Sequence, residues 1–308
     1  MSEIIAIGEC MIEMARRDDG AFDLQVGGDT FNTAIYLARP GASVSYMTAL
    51  GDDPYSELIL SAAHSEQVNT DAVCIVPGRT PGLYLIETSE GERSFWYWRD
   101  TAPARELFEL PDADWLVDRL ADAGTIYLSG ITLSLYSEAG LDRLEEALRR
   151  ARSNGAQVVI DSNYRPVGWQ RDLARARSVY ARFWTLADIA LPSFDDEQSL
   201  WGDIEPNDTF ARLAQFGVAE ICLKMADEGA IVHTSASSQL VTPDAPLVPV
   251  DTTAAGDSFS AAYLWARLSG RSARLAAAAG NRLAGIVVQH RGAIAPIDAT
   301  AACVEEQT

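Results

Sequence analysis

The sequence predicts an α/β fold of three layers: a doubly wound parallel sheet with helices on both faces, and a small additional β-sheet. Three observations predict this fold. Segment 4–8 is continuously apolar and ends in Gly8, which is typical of a buried parallel strand with a ligand beyond its end. Strands and helices alternate regularly from about residue 111. An aromatic-rich hairpin at 82–99 interrupts the first half of the chain.

The individual elements follow from the period of the apolar residues and from the glycines and polar turns between them. The predicted strands are 4–8, 21–26, 43–51, 82–87, 93–99, 125–130, 157–161, 189–191, 220–224 and 230–233. The predicted helices are 27–38, 53–68, 114–121, 137–152, 171–183, 208–215 and 259–268. No linker rich in Pro, Gly or Ser divides the chain, so we expect one domain spanning 1–308, with insertions at about 10–26 and 82–100.

The composition is that of an acidic globular protein. The 308 residues carry a formal net charge of −20, which argues against nucleic acid and anionic membranes as partners. No apolar run approaches the ~20 residues of a membrane span, and the N-terminus shows no signal peptide. The cysteines show no metal-binding spacing: Cys10, Cys74, Cys222 and Cys303. These features predict a cytoplasmic protein with reduced thiols.

The stretch 251–259, DTTAAGDSF, leads through a turn of small residues directly into a helix. The N–H groups of a first helical turn have no acceptors within the helix, and the helix dipole adds positive potential there. Ala254, Ala255 and Gly256 are therefore expected to form a cradle for phosphate oxygens. Asp257 lies at its mouth and could take a proton from a hydroxyl that attacks phosphate. The alternative is that Asp257 only caps the helix.

A second small-residue turn opens the helix at 27–38. Gly27 and Gly28 allow a ligand to approach the backbone closely. Asn32 lies on the first helical turn, on the same face as Asp29. The turn therefore predicts a polar binding site, and the alternative is that Asp29 or Thr30 caps the helix.

The two stretches resemble the motifs of one family, the ribokinase-like (phosphofructokinase-B, or pfkB) carbohydrate kinases. The family patterns are D-T-x-G-A-G-D-x-F near the C-terminus and G-G-x-x-x-N near the N-terminus. The resemblance implies a ribokinase-like fold in which the insertions at about 10–26 and 82–100 form a small β-sheet lid. It implies ATP and Mg²⁺ as cofactors and Asp257 as catalytic base. It also implies an anion hole at 254–257 and sugar contacts from Gly27, Gly28 and Asn32.

One position departs from the family pattern. Ala254 stands where the family usually has Gly, and alanine resists positive φ, so we expect a slightly different turn. The Ala-Ala-Gly-Asp form resembles a branch of 2-keto-3-deoxygluconate kinases. In that branch the lid also contacts the substrate, which by match implies roles for Tyr84, Tyr97 and Arg99.

The aromatic run 95–98 indicates that neither face of this lid strand is fully exposed to solvent. One explanation is that the strand packs against a partner subunit. The family resemblance implies both a lid over the active site and a homodimer that pairs through it.

Polar side chains follow several of the predicted strands, where ligands of such sheets collect. Asp161 and Arg165 resemble the family's D-x-N-x-R, which implies a metal or phosphate role for Asp161 and a substrate contact for Arg165. Asp196 stands where the family commonly has a glutamate; it departs from that pattern but could still organise Mg²⁺ through water, and helix capping explains it equally well. Three further residues resemble family positions on the nucleotide side of the site: Lys224, Gly229 and Asn281. The alternatives are that Lys224 is a surface lysine at a strand end, and that the small residues before Asn281 serve only helix packing.

The resemblance thus implies transfer of a phosphoryl group from MgATP to 2-keto-3-deoxygluconate, giving 2-keto-3-deoxy-6-phosphogluconate. Arg99 is expected to pair with the substrate carboxylate, with Arg165 nearby, since arginine forks match carboxylate oxygens. The alternatives are a kinase of a neutral sugar such as fructose or ribose, and a nucleotide-binding regulatory protein without catalysis. A dinucleotide dehydrogenase fits less well, because the first strand ends in Gly8-Glu9-Cys10 and not in G-x-G-x-x-G.

Overall fold

The computed structural model describes residues 2–17, 19–89, 92–111, 113–235 and 237–300. Cys303 and residues 90 and 91 of the predicted lid turn lie outside these ranges. The described residues form two sheets, flanked by helices.

The larger sheet has nine strands among the described residues. Their order is β13 (Ser238–Val241), β12 (Ala230–Thr234), β11 (Glu220–Lys224), β10 (Ile189–Ala190), β9 (Gln157–Asp161), β8 (Thr125–Ser129), β1 (Ile4–Ile7), β4 (Val44–Leu50) and β5 (Val73–Ile75). The smaller sheet has the order β3 (Phe22–Gly27), β2 (Met11–Arg16), β6 (Leu83–Ser89) and β7 (Glu92–Trp98).

The helices lie between these strands in the chain. They are α1 (Asp29–Ala38), α2 (Pro54–Ser65), α3 (Asp114–Ala121), α4 (Gly130–Leu135), α5 (Glu138–Ser153), α6 (Leu173–Trp184), α7 (Phe194–Trp201), α8 (Pro206–Gln215), α9 (Ala255–Leu268) and α10 (Ala273–Val287). Short 3-10 helices occur at Pro103–Glu109 and Ala226–Glu228. No helix in the described part of the chain is long and apolar enough to cross a membrane.

The predicted α/β class and its small lid sheet are confirmed. Strands β11 to β5 of the large sheet pair in parallel, as the alternation of strands and helices predicts. The expectation of a parallel neighbour fails at one edge, where β12 pairs antiparallel with β11 and β13 pairs antiparallel with β12. The reason is that short turns join these strands, and a parallel crossover needs about a dozen residues or more.

The sheet divides the core into two layers because successive side chains of a strand point to opposite faces. In β1, Ile5 and Ile7 pack with the layer that includes α3, α5 and α6. Ile4 and Ala6 pack with the layer that includes α1, α9 and α10. This arrangement places the first turns of α1 and α9 side by side.

The lid is a mixed sheet. Its strands β2 and β6 pair in parallel, while β3 and β7 flank them antiparallel. The register places Glu13 beside Tyr84, and Tyr84 beside Tyr97. The lid register thus places two of the predicted substrate residues, Tyr84 and Tyr97, side by side.

Candidate active site

A cavity of about 290 Å³ lies where the ends of β9 and β11 meet the first turns of α1 and α9. Ligands of open α/β sheets bind at such carboxyl ends. Several predicted site residues line the cavity together with polar neighbours: Gly28, Asp29, Asn32, Tyr84, Tyr97, Asp161, Asn163, Arg165, Lys224, Thr252, Thr253, Ala254, Ala255, Gly256 and Asp257.

The turn before α9 has the predicted form of an anion cradle. Ala254 adopts left-handed geometry, with φ 58° and ψ 17°, so the turn forms in spite of the side chain. This conformation costs an alanine about 1–2 kcal/mol. The next residues, Ala255 and Gly256, begin α9, and N–H groups in this first turn have no acceptor within the helix. The cradle faces the cavity, which suits it to bind an anion.

Asp257 is half-buried in the first turn of α9. Asn32 Nδ2 donates a 2.8 Å hydrogen bond to Asp257 Oδ2. Burial and, after it, the negative charge of Asp29 together raise the pKa of Asp257 to about 8, although the Asn32 hydrogen bond acts to lower it. A carboxyl group with a pKa near neutral pH is well suited to accept a proton from a substrate.

Lys224 lies beside the cradle and not on the surface. Its Nζ donates to Asp161 Oδ2 at 2.6 Å and to Ser260 Oγ at 3.3 Å, and Ser260 donates to the same carboxylate at 2.8 Å. A Cβ on Gly256 would lie 3.6 Å from Lys224 Nζ, which places the ammonium within reach of an anion in the cradle. Ser260 was not predicted as a site residue, although it follows Asp257 by three residues on the same helical face.

Asp29 and Asn163 form a second pair that sequence reasoning did not assign. Asn163 Nδ2 donates to Asp29 Oδ2 at 2.8 Å, across the cavity from β9 to α1. Burial raises the pKa of Asp29, and its neighbour Asp161 adds to this effect. The signal was present in sequence, because Asp29 directly follows the Gly27-Gly28 turn and Asn163 is the asparagine of the stretch that resembles D-x-N-x-R.

The structure separates the two predicted arginines. Arg165 lines the cavity, and its Nη1 donates to Asp196 Oδ1 at 3.1 Å. Arg99 is not among the residues that line this cavity: its Nη2 donates to the buried carboxylate of Glu9, and its guanidinium lies over the Tyr97 ring. The expected pairing of Arg99 with a substrate carboxylate therefore competes with an internal partner that the sequence did not indicate.

The glycines of the N-terminal motif make room for this arrangement. A Cβ on Gly28 would overlap the carbonyl oxygen of Glu9, and a Cβ on Gly27 would overlap the hydroxyl of Tyr84. Gly28 lines the cavity directly, whereas Gly27 supports it from behind. The close approach predicted for both glycines is thus to protein atoms.

The remaining predicted residues lie outside the cavity lining. Gly229 has φ 102°, and a Cβ there would lie 3.1 Å from Asn281 Nδ2, so these two are neighbours. Asn281 Nδ2 donates to the carbonyl of Val241 at 2.8 Å. Asp196 accepts hydrogen bonds from the Tyr164 N–H and from Arg165. The described residues include no group of three or more His, Cys, Asp or Glu side chains that could hold a metal ion.

The profile of the pfkB family of carbohydrate kinases matches residues 1–300. The chain belongs to this family. It is 44% identical to the 2-dehydro-3-deoxygluconokinase of Dickeya dadantii, over 96% of this chain and 97% of that protein. It is 42% identical to the protein of that name from Escherichia coli K12, over 96% of this chain and 98% of that protein.

Solved structures support the same fold. The fructokinase with bound ATP from Xylella fastidiosa aligns with a TM-score of 0.82 at 21% identity, covering 99% of this chain and 98% of that one. The predicted resemblance to pfkB kinases and the ribokinase-like fold are therefore confirmed. In this pfkB kinase, the two family motifs meet at the contact between Asn32 and Asp257.

Proposed function

We propose that this kinase uses ATP to phosphorylate 2-keto-3-deoxygluconate, also named 2-dehydro-3-deoxygluconate, to 2-keto-3-deoxy-6-phosphogluconate. The observation that carries the proposal is the 44% identity, over nearly the full length, to a 2-dehydro-3-deoxygluconokinase. The relatives do not favour a kinase of a neutral sugar such as fructose or ribose. The cavity supports phosphoryl transfer through its anion cradle and its adjacent carboxylate.

The cradle and Lys224 support a site for the phosphates of ATP. The N–H of Gly256 and the Lys224 ammonium supply donors and positive charge in a protein whose net charge is −20, whereas the Ala255 N–H donates to the carbonyl of Thr252 within the turn. When bound, MgATP supplies the phosphoryl group, and the metal offsets phosphate charge. Gly229 and Asn281 stay candidates for the nucleotide side.

Magnesium prefers oxygen ligands and usually keeps several waters. Asp161 lines the cavity, but its Oδ2 already accepts hydrogen bonds from Lys224 and Ser260. Asp196 is held by Arg165 and by a backbone N–H. We therefore assign both carboxylates to contacts with Mg²⁺ through water, with Asp161 the nearer to the cradle.

The acceptor and donor groups of the cavity fit a sugar acid. Asn32 gives its N–H to Asp257, so its Oδ1 remains an acceptor, and this buried atom has no protein partner among the described residues. That oxygen can receive a sugar hydroxyl. Both hydrogen bonds of Arg165 to described residues use Nη1, so the other side of its guanidinium can bind a substrate carboxylate. Arg99 could contribute only through the edge that Glu9 does not use.

Asp257 is the proposed catalytic base. It takes the proton of the attacking hydroxyl while Asn32 holds its carboxylate in a fixed orientation. The cradle stabilises negative charge on the transferred group through N–H donors that are already oriented. The lid residues Tyr84 and Tyr97 cover the cavity and exclude water, which would otherwise compete with the sugar hydroxyl.

The proposal is tested by measuring ADP release from ATP with purified protein over a panel of sugar acids and neutral sugars. We expect turnover with 2-keto-3-deoxygluconate and little with fructose or ribose. Asp257→Asn serves as the control for a contaminating kinase. Faster turnover of a neutral sugar, lost in Asp257→Asn, would overturn the substrate assignment while leaving kinase activity in place.

A further inference from the structure

The lid carries a buried pair of polar side chains directly behind the cavity. Glu13 on β2 is 3% exposed, and Tyr84 on β6 is 9% exposed. The two residues are register partners on parallel strands, and the Tyr84 hydroxyl donates to Glu13 Oε2. Gly27 leaves the space that this pair occupies, because a Cβ there would overlap the Tyr84 hydroxyl.

We propose, on the basis of the proposed function, that Glu13 is a positioning residue that fixes the Tyr84 hydroxyl proton. Tyr84 then faces the sugar acid only as a hydrogen-bond acceptor. Glu13 thereby selects a substrate with a hydroxyl group, and not a carboxylate, at this side of the cavity.

The polarity of the pair follows from its chemistry. A carboxylate has acceptors only, whereas a tyrosine has one O–H and two lone pairs. The proton therefore points to Glu13, and the lone pairs of Tyr84 remain for a ligand. Burial, with the negative charge of Glu13, raises the pKa of Tyr84, so the hydroxyl keeps its proton.

Packing holds the pair in this arrangement. Tyr84 forms a buried cluster with Met11 and Ile86, and its ring lies 5.9 Å from that of Tyr97, centroid to centroid. Tyr84 therefore has little freedom to turn its hydroxyl toward another acceptor. A substrate carboxylate beside Tyr84 would place its oxygens against the lone pairs of the tyrosine hydroxyl, with no proton between the two groups. Such a contact is unfavourable in a desolvated site.

This assigns different groups of the substrate to different residues of the cavity lining. The acceptors Tyr84 and Asn32 Oδ1 suit hydroxyl groups. The guanidinium of Arg165 suits the carboxylate. An epimer or deoxy analogue that lacks the hydroxyl at Tyr84 should therefore bind more weakly, although it keeps the carboxylate.

The test is a double-mutant cycle with Glu13→Gln and Tyr84→Phe, assayed for KM of the sugar acid, KM of ATP and kcat. An amide can donate as well as accept, so Glu13→Gln no longer fixes the tyrosine proton. We expect the sugar-acid KM to rise roughly 5- to 10-fold, the worth of one hydrogen bond. The KM of ATP should change less than about twofold, since the cradle lies elsewhere. In the Tyr84→Phe background, Glu13→Gln should add little.

The matched control is Glu87→Gln, which changes an exposed lid carboxylate paired with Arg16. It should leave all three constants unchanged, and thermal unfolding of each variant separates misfolding from loss of binding. Additive effects of Glu13→Gln and Tyr84→Phe would overturn the positioning role while leaving the kinase assignment intact. Failure of the unchanged protein to phosphorylate any sugar acid would overturn the proposed function and this inference together.

Discussion

Asn32 Nδ2 donates a 2.8 Å hydrogen bond to Asp257 Oδ2, although 225 residues separate the two in the chain. Asn32 belongs to the first turn of α1 and Asp257 to the first turn of α9, and these helices pack side by side. The bond joins the two motifs that resemble family signatures. It leaves the Asn32 oxygen for a sugar hydroxyl next to the carboxylate that would take the proton.

Asp257→Asn is expected to lower kcat by ~10²–10⁴-fold, the usual contribution of a positioned base, and to leave the KM of ATP nearly unchanged. An amide cannot accept the hydroxyl proton but has a similar shape. Steady-state kinetics with the sugar acid checks this. A kcat within a few-fold of the unchanged protein would contradict the assignment of the base.

The same substitution should raise the free energy of unfolding at pH 8. The folded-state pKa of Asp257 is raised to about 8, so its ionisation costs stability as pH rises from about 4, the unfolded value, to about 8. Asparagine removes that cost. Denaturant unfolding at pH 8 and at pH 4 should show the gain at pH 8 and little gain at pH 4.

The activity of the unchanged protein should rise with pH and level off above about 8, because Asp257 must lose its proton to act as base. Asp29→Asn removes a negative charge that raises this pKa, so the rising limb should move to lower pH. Asp114→Asn, in an exposed ion pair with Arg143, is the control. If activity rises at the same pH in Asp29→Asn as in the unchanged protein, a group other than Asp257 controls the pH dependence.

Arg165→Ala should raise the KM of the sugar acid roughly 10–150-fold, equivalent to the ~1.5–3 kcal/mol of a hydrogen bond to a charged group. Its side chain is 58% exposed, so we expect little change in thermal stability. The KM of ATP and the turnover of a neutral sugar should change much less. Equal losses for acid and neutral sugars would argue against a carboxylate contact.

Arg99→Ala provides the contrast, because it leaves the buried carboxylate of Glu9 without its partner. Such losses typically destabilise a protein by about 3–5 kcal/mol. Adding Glu9→Gln should recover much of this loss, which makes the double variant the fair test of substrate binding. A selective rise in the sugar-acid KM of that stable double variant would support the predicted role of Arg99 as a carboxylate contact.

The lid is proposed to form a dimer interface. Trp96 and Trp98 are 56% and 60% exposed and share one face of β7, opposite the face of Tyr97. We expect a dimer by light scattering at micromolar concentration, and a monomer for the Trp96→Asp/Trp98→Asp variant. Ile204→Asp is a matched control, because Ile204 is 85% exposed but lies far along the chain from the lid. A monomeric unchanged protein would refute the interface.

The sequence predicted the elements whose signals are local. Alternation of apolar strands and amphipathic helices is enough to predict a layered α/β fold, because burial on one or both faces leaves a period in the chain. The turn at 254–257 was likewise predicted, since small residues before a helix expose its N–H groups whatever the rest of the fold does. Left-handed Ala254 shows that tertiary packing overrode a local preference at one position.

Only the tertiary structure decided which polar groups pair. Lys224 and Asp161 are 63 residues apart, and Arg99 and Glu9 are 90 apart, so no local period links them. Parallel strand ends bring the first pair to the cavity, whereas Arg99, which directly follows the lid strand β7, pairs with Glu9 beyond the end of β1. A charged side chain takes the nearest opposite charge when it loses water, and that neighbour is set by packing in three dimensions.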